Sequence, residues 1–344
     1  MKIAFLAVRD TGGTAYTLAH AVNKITPENQ AVNIVSMDTF VKYPVMVNMA
    51  DYTRSNIREM LYGSDVIVFL GAIHPFYEAF NLRKKRLKDK KKILLCMGSE
   101  WRLGRDQLVK QADRWLQNYK IALGGADMFL PLEFQTPKGE KRCFPAADED
   151  EVAYLPVVRS FEDIEANYGL NKPDEVAIET FGLPRKRVVF VHAPTSEANK
   201  GSQLFYKAAT HAQQTVAQMV FTTVKQQPWV TTLRILSQAD VLYDQAPPFP
   251  TAYGALSVEA GIFRLPSFSQ VSVECRDFIK RHTGLDTPYI VFTSEQDLYD
   301  KTVALATDEK LRRHFGQLNY DYCRQVHDEK PVVDRLMGIL GEMQ

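Results

Sequence analysis

The stretch VVFVHAPTSEANKGSQLFYKAA, residues 188–209, begins a second series of strands and helices halfway along the chain. Its first residues, VVFVHA, form an apolar run without polar alternation, which is typical of a strand buried on both faces. A segment with helical periodicity follows the Lys200-Gly201 pair. A similar series runs from Met1 to about residue 155, so the sequence predicts parallel sheets whose strands are joined by right-handed helical crossovers.

The break between the two series predicts two domains, because 344 residues are more than one hydrophobic core usually serves. We therefore predict an α/β protein with two Rossmann-like, doubly wound domains that face a central cleft. The predicted parts are a first domain at 1–157, a polar linker at 158–187, a second domain at 188–320, and a C-terminal helix at 321–344 that packs back across the domain junction. In addition, YIVFTS (289–294) is expected to be a strand, and residues 308–344 are expected to be helical except at Pro331.

The composition excludes several classes of protein. The net charge is +1, and hydrophobic and charged residues make up 45% and 24% of the chain, so the average field favours neither nucleic acid nor an acidic partner. The four cysteines lack C-x-x-C spacing, which indicates reduced thiols and no structural zinc. The chain has no run of eighteen apolar residues, and MKIAFLAVRD (1–10) is typical of a strand and not of a signal peptide. We therefore expect a cytoplasmic protein.

A glycine pair follows the first predicted strand. Gly12 and Gly13 allow a tight turn into a helix that begins near Thr14, a plausible N-cap. The unpaired N–H groups of a helix N-terminus suit a phosphate or an acceptor hydroxyl. The spacing matches neither G-x-G-x-x-G nor a Walker loop, so a sharp turn without a ligand fits the pattern equally well.

Two features of the second series have the chemistry of a nucleotide site. Lys200 stands at a predicted helix N-terminus, where a compact positive charge can neutralise a diphosphate, although a solvated surface lysine is the ordinary alternative. In TAYGALSVEAGIFRLPSF (251–268), the loop and first helical turn supply N–H donors for phosphate oxygens. Glu259, further along that helix, can accept two hydrogen bonds from a ribose diol, or can merely complement the helix dipole. His192, at a strand end, is best explained as a hydrogen-bonded structural histidine.

Five segments together resemble the two-Rossmann (GT-B) glycosyltransferases, and most of all the large retaining family four. They are the Gly12-Gly13 loop, KILLCMGSEWR (92–102), HAPTSEANKGSQLF (192–205), ADVLYDQ (239–245) and YGALSVEAGIFRLPSF (253–268). The resemblance covers most of the chain and implies that Lys200 binds the donor diphosphate and Glu259 the donor ribose. It implies further donor contacts from Gly12, Gly13, Thr14, Gly201, Thr251, Tyr253, Gly254 and Ala255.

The sequence departs from the family pattern at three positions. Thr251 stands where the first acid of the Glu-x7-Glu motif belongs, Met97 replaces the histidine of a His-Gly-Ser segment, and Glu197 stands where relatives often carry a basic residue. His74, after a predicted strand, either replaces the missing histidine and joins Lys200 and Glu259 as a catalytic residue, or is a turn histidine before proline. The candidate acceptor contacts are Ser99, Arg102 and Arg105.

The resemblance implies transfer of a hexose-like sugar from a nucleoside-diphosphate sugar, most commonly a UDP-sugar, to an unidentified acceptor with retention of configuration. Lys200 and helix N–H groups would stabilise the leaving diphosphate. We expect no cofactor and no metal, because no Asp-x-Asp pair lies at a strand end in suitable surroundings. The alternatives are a transferase that modifies DNA at hydroxymethylated bases, a nucleotide-sugar epimerase or hydrolase, and a catalytically degenerate nucleotide-sugar binding protein.

The acceptor is open among glycans, lipid-linked molecules and nucleic acids. The run RKKRLKDKKK (83–92) has eight basic residues and one acid. In the acceptor domain, such a run can meet anionic lipid head groups at the membrane periphery or the phosphates of DNA. A solvated loop is the simpler explanation for a charge run.

Overall fold

The computed structural model describes residues 1–8, 10, 12–37, 39, 41–71, 82–96, 119–124, 134–135, 141–142, 152–168, 187–246 and 252–343. The helices among them are α1 (Thr14–Ile25), α2 (Arg54–Gly63), α3 (Phe161–Tyr168), α4 (Ser202–Thr215), α5 (Trp229–Leu236), α6 (Ala255–Ile262), α7 (Val273–Thr283), α8 (Glu295–Thr307), α9 (Glu309–His327) and α10 (Glu329–Glu342). The strands are β1 (Lys2–Ala7), β2 (Gln30–Val35), β3 (Val47–Asn48), β4 (Val66–Leu70), β5 (Lys91–Cys96), β6 (Tyr119–Leu123), β7 (Phe134–Gln135), β8 (Lys141–Arg142), β9 (Val152–Tyr154), β10 (Val188–His192), β11 (Met219–Thr223), β12 (Val241–Gln245) and β13 (Ser267–Ser269).

The chain divides into two compact units. Unit 1 comprises Met1–Arg159 and His327–Gln344, and unit 2 comprises Ser160–Val326. The chain passes from unit 1 to unit 2 after Arg159, whereas the sequence places the end of the first domain at residue 157. Helix α3, which lies in the predicted linker, belongs to unit 2. Residues 169–186 of that linker lie outside the described part of the chain. The last helix, α10, belongs to unit 1, and its packing across a domain junction stays a prediction.

Unit 1 contains a parallel sheet with the strand order β3-β2-β1-β4-β5-β6-β9. The central strands are apolar along their whole length, and β4 is buried at every position. One core joins this sheet to α1 and α10, through residues such as Phe5, Leu18 and Leu336. The strand order reverses between β1 and β4, so the loop after β1 lies at the point where doubly wound sheets bind ligands.

Unit 2 contains a smaller parallel sheet with the order β11-β10-β12-β13. Aromatic rings fill one face of it: the Phe205 and Tyr243 rings stack with centroids 4.6 Å apart, and Tyr243 contacts Phe268 at 5.2 Å. Each large apolar side chain buried in this way contributes about 1.5–3 kcal/mol to folding. The strand order reverses between β10 and β12, which places the segments after these two strands at the second ligand-binding position of the fold.

The fold class predicted from the sequence is confirmed, but three local predictions are wrong. The N-cap residue of α1 is Gly13 and not Thr14. Residues 289–294 do not form a strand, because only Ile290 pairs with Phe268, and the backbone amide of Phe292, two residues further on, donates to the side chain of Gln270. The C-terminal helices break at Asp328 and not at Pro331. Asp328 caps α10 through the N–H of Glu329, and proline in a first helical turn removes no hydrogen bond.

Among the described residues, no helix combines the length and the apolar character needed to cross a bilayer. The described cysteines, Cys96, Cys275 and Cys323, are buried thiols.

Candidate functional site

The site in unit 2 is centred on Lys200, which follows β10, and Asp244, which lies near the end of β12. The Nζ atom of Lys200 is 3.4 Å from Oδ1 of Asp244. The Asp244 side chain is only 1% exposed, whereas the Lys200 side chain is 19% exposed. The carboxylate is therefore buried beneath an ammonium group that still reaches solvent.

Asp244 also binds the N-terminus of α6. Its Oδ2 atom accepts hydrogen bonds from the backbone N–H of Gly254 at 2.8 Å and from the Ser257 hydroxyl at 2.7 Å. A carboxylate at this end of a helix is stabilised by the unpaired N–H groups and by the helix dipole. Asp244 thus acts on α6 as an N-capping acid does, although it belongs to a strand.

Gly254 is required by space. A β-carbon at Gly254 would lie 2.9 Å from both carboxylate oxygens of Asp244 and 3.0 Å from Nζ of Lys200. Its φ of −86° is open to any residue, so the demand for glycine comes from the neighbouring charges and not from the backbone. The predicted donor residues Lys200 and Gly254 are therefore brought together.

A β-bulge accounts for the position of Asp244. Tyr243 pairs with Phe268 and Gln245 pairs with Ser269, so the register between β12 and β13 shifts at Asp244. Bulges redirect side chains and are frequent beside active sites. Ser269 has a buried hydroxyl without a hydrogen-bond partner among the described residues. The carboxyl end of this sheet is therefore irregular where a ligand would bind.

Backbone hydrogen bonds fix the position of Lys200. The N–H of Lys200 donates to Ser196, and its carbonyl accepts the N–H of Ala246, which follows β12. Gly201 next to it has a φ of 61°, in the left-handed region that favours glycine, and begins α4. The sequence pair Lys-Gly thus positions the ammonium group at the strand ends.

His192 links the two strands with the start of α4. Its Nδ1 lies 2.7 Å from the carbonyl oxygen of Tyr243 and its Nε2 lies 2.6 Å from the Ser202 hydroxyl. Because a carbonyl only accepts, Nδ1 carries the proton and the hydroxyl donates to Nε2. Burial lowers the pKa of His192 to about 4. His192 is therefore a neutral structural residue at neutral pH, in agreement with the simpler explanation from the sequence.

Glu259 lies on α6, between one and two turns after Gly254. It is only 2% exposed, and its Oε1 accepts a hydrogen bond from the indole N–H of Trp229 at 2.9 Å. Trp229 is the first residue of α5, so the two helices are joined through this contact. Tyr253, at the entry to the helix, donates to or accepts from the Tyr322 hydroxyl at 2.9 Å and packs on Tyr289. Ala255 is the first residue of α6.

Glu197, one of the three positions that depart from the family pattern, forms an ion pair with Lys225. Its Oε1 lies 2.5 Å from Nζ of Lys225, and the Tyr206 hydroxyl donates to the same atom at 2.5 Å. The hydrogen bond from Lys225 is the main cause of the lowered pKa of Glu197. Glu197 is therefore paired at the surface with a lysine from the segment that follows β11.

The glycine loop of unit 1 contains a second aspartate at a helix N-terminus. Asp10 accepts a hydrogen bond from the N–H of Tyr16 at 3.1 Å. Burial raises the pKa of Asp10, while the backbone N–H groups of Tyr16, Ala15 and Thr14 and the nearby Arg159 oppose that shift. The N-terminus of α1, which the sequence offers to a phosphate or a hydroxyl, therefore already faces a protein carboxylate.

Arg159 and Tyr43 pack against the glycine loop of unit 1. The fully buried guanidinium of Arg159 donates to the Gly12 carbonyl at 2.7 Å and to the Tyr43 hydroxyl at 3.2 Å. A β-carbon at Gly13, whose φ is 65°, would lie 2.2 Å from the Tyr43 ring. Asp10, Lys42 and Tyr43 line a cavity of about 410 Å³ beside the loop. Tyr43 thus connects Gly13 with a cavity of unit 1 that also has apolar lining residues, such as Val35 and Val45.

Several predicted site residues lie outside the described part of the chain. They are His74, Met97, Ser99, Arg102, Arg105 and Thr251. Their roles stay predictions.

The basic segment 83–92 is partly structural. Lys92 is 1% exposed and donates to the carbonyls of Leu87 and Lys90, and burial lowers its pKa to about 8. Arg86 lies over the Tyr62 ring at 4.1 Å. Lys91 donates to the Leu340 carbonyl of α10 at 2.6 Å.

Four residues of this segment, together with residues from β6 and the C-terminus of the described chain, line a cavity that we call the basic cavity. It has a volume of about 620 Å³ and is lined by Lys88, Asp89, Lys90, Lys91, Tyr119, Lys120 and Met343. Lys91 and Tyr119 are the first residues of β5 and β6. Strands of a parallel sheet all start at one edge, so the basic cavity lies at the amino-terminal edge, opposite the edge that carries the Gly12-Gly13 loop.

Asp244, Trp229, Asp10 and Arg159 were not identified from the sequence. For the two aspartates a signal exists, because each is an acid near the end of an apolar strand followed by a glycine-containing loop. Trp229 and Arg159 act through contacts with residues 30 and 147 positions away, and no local pattern indicates such contacts.

No protein-family model matches the chain, and no curated protein sequence matches it either. Solved structures do. An alpha-glucosyltransferase in complex with UDP and a 13-mer DNA containing a central A:G mismatch matches with a TM-score of 0.61 at 10% identity, over 99% of each chain. A glycosyltransferase from Rickettsia africae ESF-5 matches with a TM-score of 0.58 at 10% identity, over 99% of this chain and 98% of that chain. WaaG, a glycosyltransferase involved in lipopolysaccharide biosynthesis, matches at 0.53 and 11% identity, over 98% of this chain and 99% of that chain.

These likenesses, which extend over the whole chain, establish the fold class. The chain has the GT-B fold, with a parallel Rossmann-like sheet in each of its two units. Membership of the retaining family four stays a prediction from the sequence motifs.

Proposed function

We propose that the protein is a glycosyltransferase that moves a sugar from a nucleoside-diphosphate sugar, with UDP as the nucleotide, to an acceptor. The observation that carries the proposal is the position of Lys200. Its ammonium group lies next to Gly254 at the N-terminus of α6, beside the reversal of strand order in unit 2. A cation and a helix N-terminus at this position suit a diphosphate.

The positions of the donor residues support the following proposed roles. Lys200 binds the diphosphate as a point charge, and backbone N–H groups at the N-terminus of α6 other than that of Gly254 contribute hydrogen bonds. Gly201 allows the turn that presents Lys200. Glu259, oriented by Trp229, accepts hydrogen bonds from the ribose of the donor.

The chemistry assigned to these residues is electrostatic. Negative charge develops on the diphosphate as the bond to the sugar breaks, and a preorganised ammonium group stabilises that charge more in the transition state than in the bound donor. We assign no protein nucleophile, no cofactor and no metal to the reaction, and we propose that the sugar keeps its configuration, as the sequence motifs predict.

A second candidate function is transfer of a sugar to DNA. The observation that favours it is the basic cavity, which Lys88, Lys90 and Lys120 line together with Tyr119. Lysines neutralise phosphates, and an aromatic ring stacks on bases. A structural neighbour with this fold was solved with UDP and DNA. A gel-shift titration with duplex DNA at several salt concentrations, alongside flotation with anionic vesicles, tests the nucleic-acid partner against a peripheral membrane contact.

A panel of nucleotides and nucleotide sugars in a thermal-shift assay tests the donor. A ligand that binds only the folded protein stabilises it by about 2.7 kcal/mol at a concentration of 100 times its Kd. We expect UDP and UDP-sugars to raise Tm and adenine nucleotides not to do so. The absence of any shift with every nucleotide would refute the proposed function.

Product analysis then separates the related functions. Incubation with the donor alone yields a new sugar product if the protein is an epimerase or hydrolase, and none if it is a transferase that needs an acceptor. Tight donor binding without turnover on glycan, lipid-linked and DNA acceptors indicates a degenerate binding protein.

A further inference from the structure

Asp244 is the feature of the donor site that the proposed function does not use. Both of its oxygens are engaged in different ways. Oδ2 accepts from Gly254 and Ser257 at 2.8 and 2.7 Å, whereas Oδ1 faces the Lys200 ammonium at 3.4 Å. Oδ2 therefore binds the N-terminus of α6, and Oδ1 forms the ion pair with Lys200.

This carboxylate occupies the place that a phosphate oxygen would take. It accepts the N–H of the N-cap residue of α6 and lies beside the only lysine that the proposed function assigns to the diphosphate. An incoming diphosphate would therefore meet a resident anion that already shares the same cation. The Lys200–Asp244 pair is neutral overall, so the site offers less net positive charge than Lys200 alone would give.

The charge of Asp244 is more than capping requires. A neutral Asn or Ser caps a helix about as well as Asp does. A buried carboxylate carries a desolvation cost that only close partners offset. The bulge in β12 and the empty position at Gly254 make room for this group. A site that needed only a cap or only a cation would not need this arrangement.

We propose that Asp244 is a specificity-determining residue of the donor site: it orients Lys200 and weakens the binding of the free diphosphate product relative to the donor. The inference rests on the proposed function. The product has one more ionisable phosphate oxygen than the sugar-linked donor, and with a pKa of about 6 that oxygen is charged at neutral pH. Repulsion from Asp244 is therefore greater for the product, which favours its release.

The test compares the wild-type protein with Asp244→Asn by isothermal titration calorimetry. The substitution keeps one oxygen for Gly254 and Ser257 and places an uncharged amide toward Lys200. We expect the affinities for UDP and for inorganic pyrophosphate to rise about tenfold at low ionic strength, the scale of one unit charge acting across a few ångströms of partly hydrated protein. The affinity for a UDP-sugar should rise less, because the donor lacks the additional charged oxygen of the product, and an equal rise for UDP and the UDP-sugar would overturn the inference. Uridine should bind unchanged, and the gain should shrink in high salt.

Asp240→Asn is the matched control. Asp240 begins the segment that leads into the same strand, is 6% exposed, and accepts the N–H of Val189 at 2.8 Å. It lies at the opposite end of β12 from the donor site. We expect this variant to lose stability and to bind UDP and pyrophosphate with wild-type affinity.

The outcomes separate the two proposals. Equal weakening of UDP, pyrophosphate and uridine in Asp244→Asn would mean that Asp244 is only a structural cap, and unchanged affinities would equally overturn the inference. Failure of UDP to bind any form refutes the proposed function, and pyrophosphate then still tests the anion site without the nucleotide. If Asp244→Asn does not fold by circular dichroism, Asp244→Ser supplies the neutral cap for the same titrations.

Discussion

Replacing Lys200 with alanine removes the ammonium group that, among the described residues, lies beside Gly254 at the N-terminus of α6. A hydrogen bond to a charged group contributes about 1.5–3 kcal/mol. We therefore expect the Kd for UDP to rise about 10- to 150-fold in Lys200→Ala, since each 1.4 kcal/mol is a factor of about ten. Calorimetric titration of UDP measures this change directly.

The same substitution leaves Asp244 without its counter-charge. Breaking a fully buried ion pair costs about 3–5 kcal/mol. Here the Nζ–Oδ1 distance is 3.4 Å and the Lys200 side chain is 19% exposed, so water reaches the pair. Asp244 also keeps its hydrogen bonds from Gly254 and Ser257. We expect the free energy of unfolding to fall by only about 1 kcal/mol, at the upper end for exposed pairs.

Lys207→Ala is the control for Lys200→Ala. Lys207 lies on α4, close after Lys200, and its Nζ is also 3.4 Å from a carboxylate oxygen, that of Glu295. Both groups of this pair are more than half exposed, so we expect neither affinity nor stability to change by more than about 0.5 kcal/mol. Equal UDP affinities in wild type, Lys200→Ala and Lys207→Ala would refute the role of Lys200 and with it the assignment of the diphosphate site.

Glu259→Ala should weaken UDP binding by about 1–3 kcal/mol while pyrophosphate binding stays the same, because the lost contacts are to the ribose; equal losses for both ligands in calorimetry would argue against a ribose contact. Exchanging Lys88 and Lys90 for glutamate should change acceptor use, DNA binding or vesicle binding and leave the UDP Kd unaltered, since the basic cavity lies at the amino-terminal edge of its sheet; a changed UDP Kd would contradict that separation. The lowered pKa of His192, about 4 against 6.5, means that the unfolded chain binds a proton between these pH values that the folded chain does not, so urea denaturation should give a free energy of unfolding that falls by up to about 3 kcal/mol from pH 6.5 to pH 4. The fall should be smaller in His192→Asn, and a pH profile identical to that of wild type would exclude His192 as its source.

The parts of the fold that the sequence predicts are those with local causes. A buried strand such as β4 is visible as a continuous apolar run, and the positive-φ turn before α4 is visible as the glycine at position 201. The order of strands and glycine loops then places Lys200 and Gly254 at neighbouring strand ends. These features need no knowledge of distant contacts.

The rest depends on contacts between distant residues. Asp244 faces α6 because the register between β12 and β13 shifts at this residue. Such a shift depends on the pairing of two strands, so the sequence of one strand does not predict it. The indole partner of Glu259 comes from another helix. The segment 289–294 has the composition of a strand, but a side chain of Gln270 takes the hydrogen bond that a neighbouring strand would have made.

The missing side chain at Gly254 links two positions that lie ten residues apart in the chain. A methyl group there would press on both oxygens of Asp244, at 2.9 Å, yet the backbone itself accepts any amino acid. Alanine or serine at 254 is therefore tolerable only in sequences that carry a shorter side chain at 244. The two positions should change together across related proteins, and a sequence that keeps the aspartate should keep the glycine.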